Sequence, residues 1–369
     1  MIPREFFIED RLEKYRLTAS CNLGESGLRN FTVKELLDRL NLDIGCLNTI
    51  SLADSPNNGR EDLRSEIASL YKNISPDQVL ITTGTSEALY ILFHLLIGKG
   101  DKVSLFTPAF QALYEIPLTL GAIIIEVEVK ESLPIQQLFD QQVKLAIVNH
   151  PHNPTGIGLG ESEIKTLKDS LSKFSGYSLF DEHYRFLDYV NDLSFSGAGL
   201  NEKCFATGSI TKCFGVTGLR IGWLVGDKGL LEKARSFKDY LTHTVNPISE
   251  FLALEILRNR KKIVKPIKDS ILQNVNTFAI AAKNLPGIEN FRAPDGGLVS
   301  FVKLATGISS EIYADLLLKQ CDIFVLPGSN FEREGFIRVG FGETPGRFFA
   351  GIERWKDLKI TTDGQRVHR

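Results

Sequence analysis

The sequence predicts an α/β protein with a mainly parallel central sheet that is covered by helices on both faces. Short β-branched runs alternate with amphipathic helical stretches between residues 79 and 242. Such alternation is typical of strand–helix–strand crossovers, in which strands covered on both faces are apolar along their length. Seven runs fit this description: 79–82, 102–106, 123–127, 144–149, 177–180, 205–208 and 221–225.

The segments between these strands carry apolar residues at the spacing of a helix with one buried face. Helices covering both faces are therefore expected at 86–97, 110–120, 161–174 and 229–242.

The regular alternation of strands and helices is limited to the middle of the chain, and this predicts three parts. Residues 49–250 form a large cofactor-binding α/β domain, and residues 1–48 form an N-terminal arm and part of a smaller domain, with a helix near 33–40. Residues 251–369 complete this smaller α+β domain, and the polar tail after Lys359 is expected to be disordered. The smaller domain is expected to contain strands at 299–303, 323–327 and 336–341.

Composition indicates a soluble globular protein. The chain has 369 residues, of which 43% are hydrophobic and 24% charged, with a net charge of −2. A near-neutral charge argues against nucleic acid or an anionic membrane as the main partner. The richest apolar run, 89–97, is about half of the ~20 residues that span a bilayer. Five widely spaced cysteines predict reduced thiols in the cytoplasm.

Polar residues follow the predicted strands, at the edge where open α/β sheets bind ligands. Gly84, Thr85 and Ser86 lead directly from a strand into a helix, where free N–H groups and hydroxyls make a phosphate cradle. The alternative is a simple helix cap by Thr85 or Ser86. Phe110 follows the next strand and either stacks on a flat ligand or belongs to the core.

The loop after the fourth strand contains Asn153, whose amide is available to a ligand, within an Asn-Pro-Thr-Gly turn. The neighbouring His150 and His152 have no carboxylate or cysteine partner at ligand spacing, so we expect no metal site.

Two further loops carry charged residues after strands. Asp181 ends an apolar strand, where burying a carboxylate is costly unless a cation pairs with it. Lys212 follows another strand, with Arg220 eight residues later. A lysine among apolar and cationic neighbours loses proton affinity and becomes a nucleophile, whereas a solvated loop lysine would not.

Together these residues resemble the class I/II aminotransferases, pyridoxal 5'-phosphate (PLP) enzymes of fold type I. The matching set occurs in the family's order and continues near the C-terminus with Leu-Pro-Gly at 326–328 and Ile-Arg-Val at 337–339. The resemblance implies a fold type I PLP-dependent transferase with PLP as cofactor. The matching motifs are Gly84-Thr85-Ser86, Phe110, Asn153-Pro154-Thr155-Gly156, Asp181 with Tyr184, Ser209 with Lys212, and Arg220.

The resemblance also implies a role for each matched residue. Lys212 would bond covalently to the cofactor aldehyde and later move the substrate α-proton. Asp181 would pair with the pyridinium nitrogen and keep the ring an electron sink. Tyr184 and Asn153 would hydrogen-bond the phenolic oxygen. Lys212, Asp181 and Tyr184 are thus the predicted catalytic residues.

The remaining matches concern the phosphate, the ring face and the substrate. Phe110 would stack on the ring, and Arg338 would bind the substrate α-carboxylate as a bidentate fork. The phosphate would be held by the turn containing Gly84, with Thr85, Ser86, Ser209 and Arg220. Members of this family build the site at a dimer interface, so the resemblance implies a homodimer.

Acidic residues depart from the usual transaminase pattern. Asp54 stands where the family commonly has a tyrosine that reaches the neighbouring subunit's phosphate, and the N-terminal arm contains Glu9 and Glu25. Carboxylates facing an amino-acid site would suit a cationic side chain, above all a guanidinium. Alternatively, they are solvated surface charges.

A closer similarity, to the capreomycidine synthases, covers nearly the whole chain. It rests on the N-terminal arm, Ser-Gly at 26–27 with Asn-Phe-Thr at 30–32, Asp54, the stretch 83–90 and Asp-Tyr-Leu-Thr at 239–242. This similarity implies a cyclase that converts a hydroxylated arginine into a cyclic guanidine amino acid of the capreomycidine or enduracididine type. The alternatives are an ordinary aminotransferase with a keto-acid acceptor and a PLP-binding regulatory domain. The second would need a DNA-binding segment, for which residues 1–48 show no helix-turn-helix pattern.

Overall fold

The strands of the computed structural model, which describes residues 2–360, follow the predicted pattern closely. Each of the seven predicted strands of the large domain lies within one residue of its expected ends. The strands are β1 Cys21–Asn22, β2 Val79–Thr83, β3 Lys102–Thr107, β4 Ile123–Glu128, β5 Leu145–Asn149, β6 Tyr177–Asp181, β7 Cys204–Ser209, β8 Ile221–Val225, β9 Ile288–Asn290, β10 Val299–Leu304, β11 Ile323–Phe324, β12 Leu326–Pro327 and β13 Phe336–Gly340.

Helices follow most of these strands. The α-helices are α1 Phe7–Tyr15, α2 Val33–Leu40, α3 Glu61–Ala68, α4 Thr85–Leu96, α5 Ala112–Thr119, α6 Glu161–Leu171, α7 Lys228–Lys238, α8 Pro247–Arg258, α9 Arg260–Ala281, α10 Ser310–Cys321 and α11 Pro345–Trp355. None of them, within residues 2–360, combines the length and apolarity that a membrane-crossing helix needs.

The central sheet has seven strands in the order β2-β8-β7-β6-β5-β3-β4. Only β8 runs antiparallel to its neighbours β2 and β7. This arrangement confirms the predicted fold class. Since the other strands run the same way, the residues that follow β6 and β7 emerge at one edge of the sheet.

Both faces of the sheet are buried at central strands such as β5 and β8, which explains why these are apolar throughout, whereas the edge strand β4 is largely exposed. Neighbouring side chains of a strand point to opposite faces. Thus Ala146 and Val148 of β5 pack in one hydrophobic cluster, whereas Leu145 and Ile147 pack in another on the other face. Each fully buried aliphatic side chain of this kind contributes about 1.5–3 kcal/mol.

The smaller lobe contains an antiparallel sheet in the order β12-β13-β10-β9. The N-terminal segment also belongs to this lobe, because β1 pairs in parallel with β11 in a separate two-stranded sheet. Helix α1 is attached to α10 through the Arg11 guanidinium, which donates to Glu311 and Asp315 at 3.0 and 2.7 Å. The arm is attached to the large lobe through Arg4, which donates to Glu115 at 2.9 Å.

Three predicted elements differ from the structure: two helices end earlier than expected, and one strand is divided in two. The helix expected at 229–242 ends at Lys238, since the chain turns there and His243 adopts a left-handed conformation with its N–H on the Lys238 carbonyl. The strand expected at 323–327 is two short strands, β11 and β12, which pair with different partners. The helix expected at 161–174 ends at Leu171.

Two other predictions concern the cysteines and the C-terminal tail. All five cysteines are free and lie within residues 2–360. The disorder expected in the tail concerns residues 361–369, which lie outside the described residues.

Candidate active site

A cavity opens where the carboxyl ends of the central strands meet the N-terminal arm and the smaller lobe. It brings together ten of the residues predicted from the sequence. They are Glu9, Thr85, Ser86, Phe110, Asn153, Asp181, Tyr184, Lys212, Arg220 and Arg338.

The Asp181 carboxylate is held rigidly at the end of β6. The residue is 1% exposed, and its two oxygens accept hydrogen bonds of 3.0 Å from Thr207 Oγ1 and Asn149 Nδ2. Register alone brings these donors there, since Asp181 lies opposite Asn149 on β5 and Thr207 on β7. A buried carboxylate with only neutral donors retains attraction for a cationic partner in the cavity.

Lys212 lies in the loop after β7 and faces the same cavity. Burial lowers the pKa of its amine, and the nearby charges of Arg338 and Arg220 lower it further, while Glu25 and Glu9 raise it. The N-terminal arm approaches closely, because a Cβ on Gly27 would lie 3.4 Å from the Lys212 Cδ. The lysine is therefore poised to be an uncharged nucleophile at lower pH than a solvated lysine.

The turn from β2 into α4 has the features of an anion-binding site at a helix N-terminus. Gly84 has φ +77° and ψ 170°, a conformation nearly restricted to glycine, and precedes the first residue of α4. No side chain among residues 2–360 caps this helix, whose N-cap is Gly84, so its first N–H groups stay available and the capping alternative for Thr85 and Ser86 is wrong. The Arg220 guanidinium lies beside the turn, 2.7 Å from where a Gly84 Cβ would stand.

Ser209 ends β7 opposite Gly222 of β8 and is not among the residues that line the cavity. Its hydroxyl is buried and shares a 2.8 Å hydrogen bond with Thr211 Oγ1, which does line the cavity. Phe110 is partly buried and packs against Phe6 of the N-terminal arm, with ring centroids 5.4 Å apart. The aromatic ring thus contributes both to the cavity wall and to the attachment of the arm.

Arg338, at the floor of the cavity, is 1% exposed. Its Nη1 donates to Asn153 Oδ1 at 3.1 Å and its Nη2 to the Gly24 carbonyl at 2.7 Å, whereas its Nε has no partner among residues 2–360. Burial lowers the pKa of this guanidinium. An unpaired donor on a buried cation is costly, so an anionic ligand would be strongly favoured here.

Tyr184 lies beside this guanidinium and is 2% exposed. Its hydroxyl donates to the Ser26 carbonyl at 2.8 Å, and burial raises its pKa. The phenol therefore remains protonated at neutral pH, with its single O–H donated to Ser26 and its oxygen able to accept a hydrogen bond.

Two of the predicted acidic residues, Glu9 and Glu25, lie at the cavity or beside it. Arg16 pairs with Glu9 at 3.1 Å and with Glu25 at 3.3 Å. Glu9 lines the cavity, whereas Glu25 lies next to it, close enough to raise the pKa of Lys212. Both carboxylates are partly solvated, with side chains 50% and 30% exposed.

Asp54 is not among the residues that line this cavity. Its carboxylate accepts a 3.0 Å hydrogen bond from Thr244 Oγ1, on the turn that follows α7. The contact of Asp54 with a substrate therefore stays a prediction.

Sequence reasoning missed several residues of the site. Asn149 and Thr207 hold Asp181, His183 lines the cavity beside it, and Ser26 accepts from Tyr184. The position of Asn149 at the end of an apolar strand was a usable signal. Ser26 belongs to the Ser-Gly motif at 26–27, but its contact with Tyr184 could not be predicted because it joins two segments that are distant in sequence.

The histidines considered for a metal are buried in the large lobe. Burial lowers the pKa of His150 to about 4 and that of His152 to about 3. His152 shares a hydrogen bond with Thr155 Oγ1 at 2.8 Å. Within residues 2–360, no group of three or more His, Cys, Asp or Glu side chains is placed to hold a metal ion.

The donor set fits a planar, phosphorylated aldehyde with a basic ring nitrogen. Lys212 supplies an amine, Asp181 a buried carboxylate held by the neutral donors Thr207 and Asn149, and the Gly84 turn with Arg220 an anion cradle. The fold and this site define a PLP-dependent enzyme of fold type I.

Comparison with known proteins gives the family. The family model for aminotransferase class I and II matches residues 18–348, and the chain belongs to that family. Its cofactor is accordingly pyridoxal 5'-phosphate.

Relatives with different activities are similar to this chain to nearly the same degree. Aspartate aminotransferase of Pyrococcus horikoshii is 26% identical over 95% of this chain and 92% of its own. Capreomycidine synthase of Streptomyces vinaceus is 27% identical over 90% of this chain and 88% of its own. The crystal structure of the PLP-dependent cyclase OrfR has a TM-score of 0.89 at 22% identity, over 96% of both chains, which supports the fold.

Proposed function

We propose that this enzyme eliminates water from a hydroxylated L-arginine and closes the guanidine onto the carbon chain. The product would be a cyclic guanidine amino acid of the capreomycidine or enduracididine type. The observation that carries the proposal is the acidic side of the cavity, where Glu9 and Glu25 lie near Lys212 and Arg338.

The two carboxylates share the guanidinium of Arg16, and the charge that remains is balanced by Arg338 until that residue binds the substrate α-carboxylate. A substrate whose side chain ends in a guanidinium would be attracted to this end of the cavity. The Arg16 contact supports the same chemistry, because it shows that a guanidinium fits between these carboxylates. An acidic side chain such as that of aspartate would be repelled by the net charge.

The α-carboxylate end of the substrate would be bound by Arg338. Its Nε lacks a partner, and its two other nitrogens already hold it in a fixed orientation against Asn153 and Gly24. A bidentate contact there would leave the α-hydrogen facing the cavity that contains Lys212.

When bound, PLP supplies an electron sink that allows the α-hydrogen to leave as a proton. The Lys212 amine would accept this proton, for which its lowered pKa suits it. Asp181 would hold a protonated ring nitrogen, because its carboxylate is fixed by Thr207 and Asn149. Gly84, Thr85, Ser86, Ser209 and Arg220 would hold the phosphate.

The overall conversion balances as the loss of one water. A carbon–oxygen bond to the side-chain hydroxyl breaks, and a carbon–nitrogen bond to the guanidine forms at the same carbon. The hydroxyl takes one proton, which the guanidine nitrogen ultimately supplies. Loss of a β-hydroxyl gives a six-membered ring, and loss of a γ-hydroxyl gives a five-membered ring.

The second candidate is an aminotransferase, which the similarity to aspartate aminotransferases favours. The two reactions differ in stoichiometry, because transamination consumes a keto acid and cyclisation does not. The test is to incubate the purified enzyme with β- and γ-hydroxyarginine, with and without 2-oxoglutarate, and to identify products by mass. Formation of a dehydrated amino acid without 2-oxoglutarate supports the cyclase. Turnover that requires 2-oxoglutarate overturns it.

We also propose that two copies associate. Leu52, Tyr240 and Leu241 are exposed by 78%, 90% and 44%. Hydrogen bonds join their two segments, since Asn57 donates to Asp239 at 2.8 Å and Thr244 donates to Asp54. Such an exposed apolar patch is typical of an interface. Sedimentation should give a mass of two chains, and a single-chain mass at micromolar concentration would contradict the proposal.

A further inference from the structure

Asn22 is a polar residue whose side chain connects two parts of the N-terminal segment. It ends β1, opposite Phe324 of β11. Its Nδ2 donates to the Arg16 carbonyl at 3.1 Å, and its Oδ1 accepts from the N–H groups of Gly24 and Glu25 at 3.1 and 3.2 Å. An asparagine that accepts from the backbone two residues on fixes a tight turn. The amide therefore holds the end of α1 against the turn at 23–25.

This turn lies directly against Arg338, at the end of the cavity proposed for the α-carboxylate. The Gly24 carbonyl accepts from Arg338 Nη2 at 2.7 Å. The turn is also fixed to β13, because the Gly340 N–H donates to the Leu23 carbonyl at 2.7 Å. Packing leaves no slack on the remaining side, since a Cβ on Gly24 would lie 2.6 Å from Phe324 Cδ1. The position of the turn relative to the buried guanidinium is thus set by hydrogen bonds and by close contact.

The end of α1 that Asn22 holds carries the guanidinium of Arg16. This guanidinium lies 3.1 Å from Glu9 and 3.3 Å from Glu25. Each carboxylate uses one oxygen in this contact, and its other oxygen has no partner among residues 2–360. Without the shared cation, the two like charges would repel each other. Arg16 therefore keeps two acceptor oxygens together, as a substrate guanidinium requires.

A substrate that contacts both ends of this cavity must have the right length. Adding or removing one methylene changes the reach of an extended side chain by about 1.3 Å, given a carbon–carbon bond of ~1.5 Å. A site distinguishes such ligands only when its groups are held to within about 0.5 Å. Both ends must therefore be fixed to the same frame, and Asn22 bonds to the segments that carry both of them.

We propose that Asn22 is a positioning residue that sets the length of the amino acid that the enzyme accepts. By holding the Arg338 end and the carboxylate pair at one separation, it favours a side chain of arginine length over one that is longer or shorter by a methylene. The inference rests on the proposed function for the guanidinium and does not depend on ring closure.

The test measures the binding of three guanidino amino acids to the PLP-loaded enzyme, through the change in the cofactor's visible absorbance on mixing. L-Arginine has the expected length, L-homoarginine is one methylene longer, and 2-amino-4-guanidinobutanoate is one methylene shorter. We expect the unmodified protein to bind arginine about tenfold or more tightly than either of the others. In Asn22→Ala this preference should fall about threefold or more, the effect of losing a typical hydrogen bond.

A second variant separates positioning from general damage. Asn22→Asp keeps an acceptor for the N–H groups of Gly24 and Glu25 but loses the donor to the Arg16 carbonyl. Norvaline has the same carbon chain as arginine without the guanidine, so it can use Arg338 but not the carboxylate pair. We expect Asn22→Asp to lower the preference for arginine while norvaline binds as it does to the unmodified protein. Equal weakening of norvaline and arginine would indicate a merely structural role and overturn the proposal.

Asn201→Ala is the matched control. Asn201 also accepts from the backbone two residues on, with its Oδ1 on the Lys203 N–H at 2.9 Å, and it lies in an exposed loop outside the cavity. This variant should leave every preference unchanged. Thermal unfolding shows which variants are folded, and Asn22→Asp carries the test if Asn22→Ala does not fold.

Two results overturn the proposal: an unmodified protein without a preference among the three lengths, or folded Asn22 variants that keep the full preference. A preference that falls in these variants supports it. If hydroxyarginines then give no dehydrated product, that result contradicts the cyclase reaction alone.

Discussion

Replacing Gly84 by alanine should weaken PLP binding through one identifiable collision. The new Cβ would lie 2.7 Å from Arg220 Nη2. Since carbon and nitrogen atoms without a hydrogen bond approach to about 3.5 Å, the guanidinium must move by about 0.8 Å. A displacement of this size removes the fixed geometry that a charge-assisted hydrogen bond to phosphate needs, a bond worth about 1.5–3 kcal/mol. The dissociation constant of PLP should therefore rise by roughly tenfold to a hundredfold.

The same substitution also strains the backbone. Gly84 has φ +77° and ψ 170°, where any other residue costs about 1–3 kcal/mol. This cost lowers the stability of the folded protein without regard to the cofactor. Denaturant unfolding of the cofactor-free protein measures it separately from PLP binding.

Gly100→Ala is the matched control. Gly100 also has a positive φ, +87°, but a Cβ there would have no neighbour within 4 Å. We expect this variant to lose stability through backbone strain and to bind PLP normally. If Gly84→Ala and Gly100→Ala bind PLP equally well in an absorbance titration, the collision with Arg220 does not matter and the reasoning about this turn is refuted.

The other predictions concern charged and acidic groups. Lys212→Ala should abolish covalent fixation of PLP, so that borohydride treatment followed by denaturation leaves no cofactor on the protein; retained cofactor would contradict the assignment. Glu9→Gln should raise KM for hydroxyarginine about two- to fivefold, which is the effect expected of a partly solvated ion pair. Glu13→Gln, on the exposed face of α1, is the control and should leave KM unchanged. Equal KM values for the two variants would remove Glu9 from the site. Burial raises the pKa of Glu182 from 4.5 to about 7, so the folded protein binds more protons than the unfolded one and its stability falls as pH rises through this interval. Glu182→Gln should flatten that fall in unfolding measurements at pH 5 and 8, and an unchanged slope would show that another group causes it.

The central strands could be predicted closely because every residue of a fully buried strand must be apolar, and such runs are visible in the sequence. A strand covered on both faces must be apolar throughout, and β5 and β8 are buried along their whole length. The helix ends were less predictable. The apolar spacing continues past Lys238, but its buried ammonium donates to the Asn57 and His243 carbonyls, which holds the chain in a turn.

The site was predictable where a functional group follows a strand. Asp181 and Lys212 were found in this way, because the carboxyl ends of parallel strands meet at one edge. Their supporting residues were not found, since Asn149 reaches Asp181 through strand register and Ser26 reaches Tyr184 across 158 positions of sequence. Contacts between such distant positions leave no local pattern.

The sequence by itself therefore determined the class of fold and the cofactor and predicted the reactive groups, because strand burial and the order of the motifs can be read along the chain. Tertiary structure decided the electrostatics and the boundary of the site. It placed Glu9 and Glu25 beside Arg16, put Asp54 outside the cavity, and brought His183 into the cavity wall. Charge acts through distance in space, and these distances exist only once the arm and the two lobes are packed together.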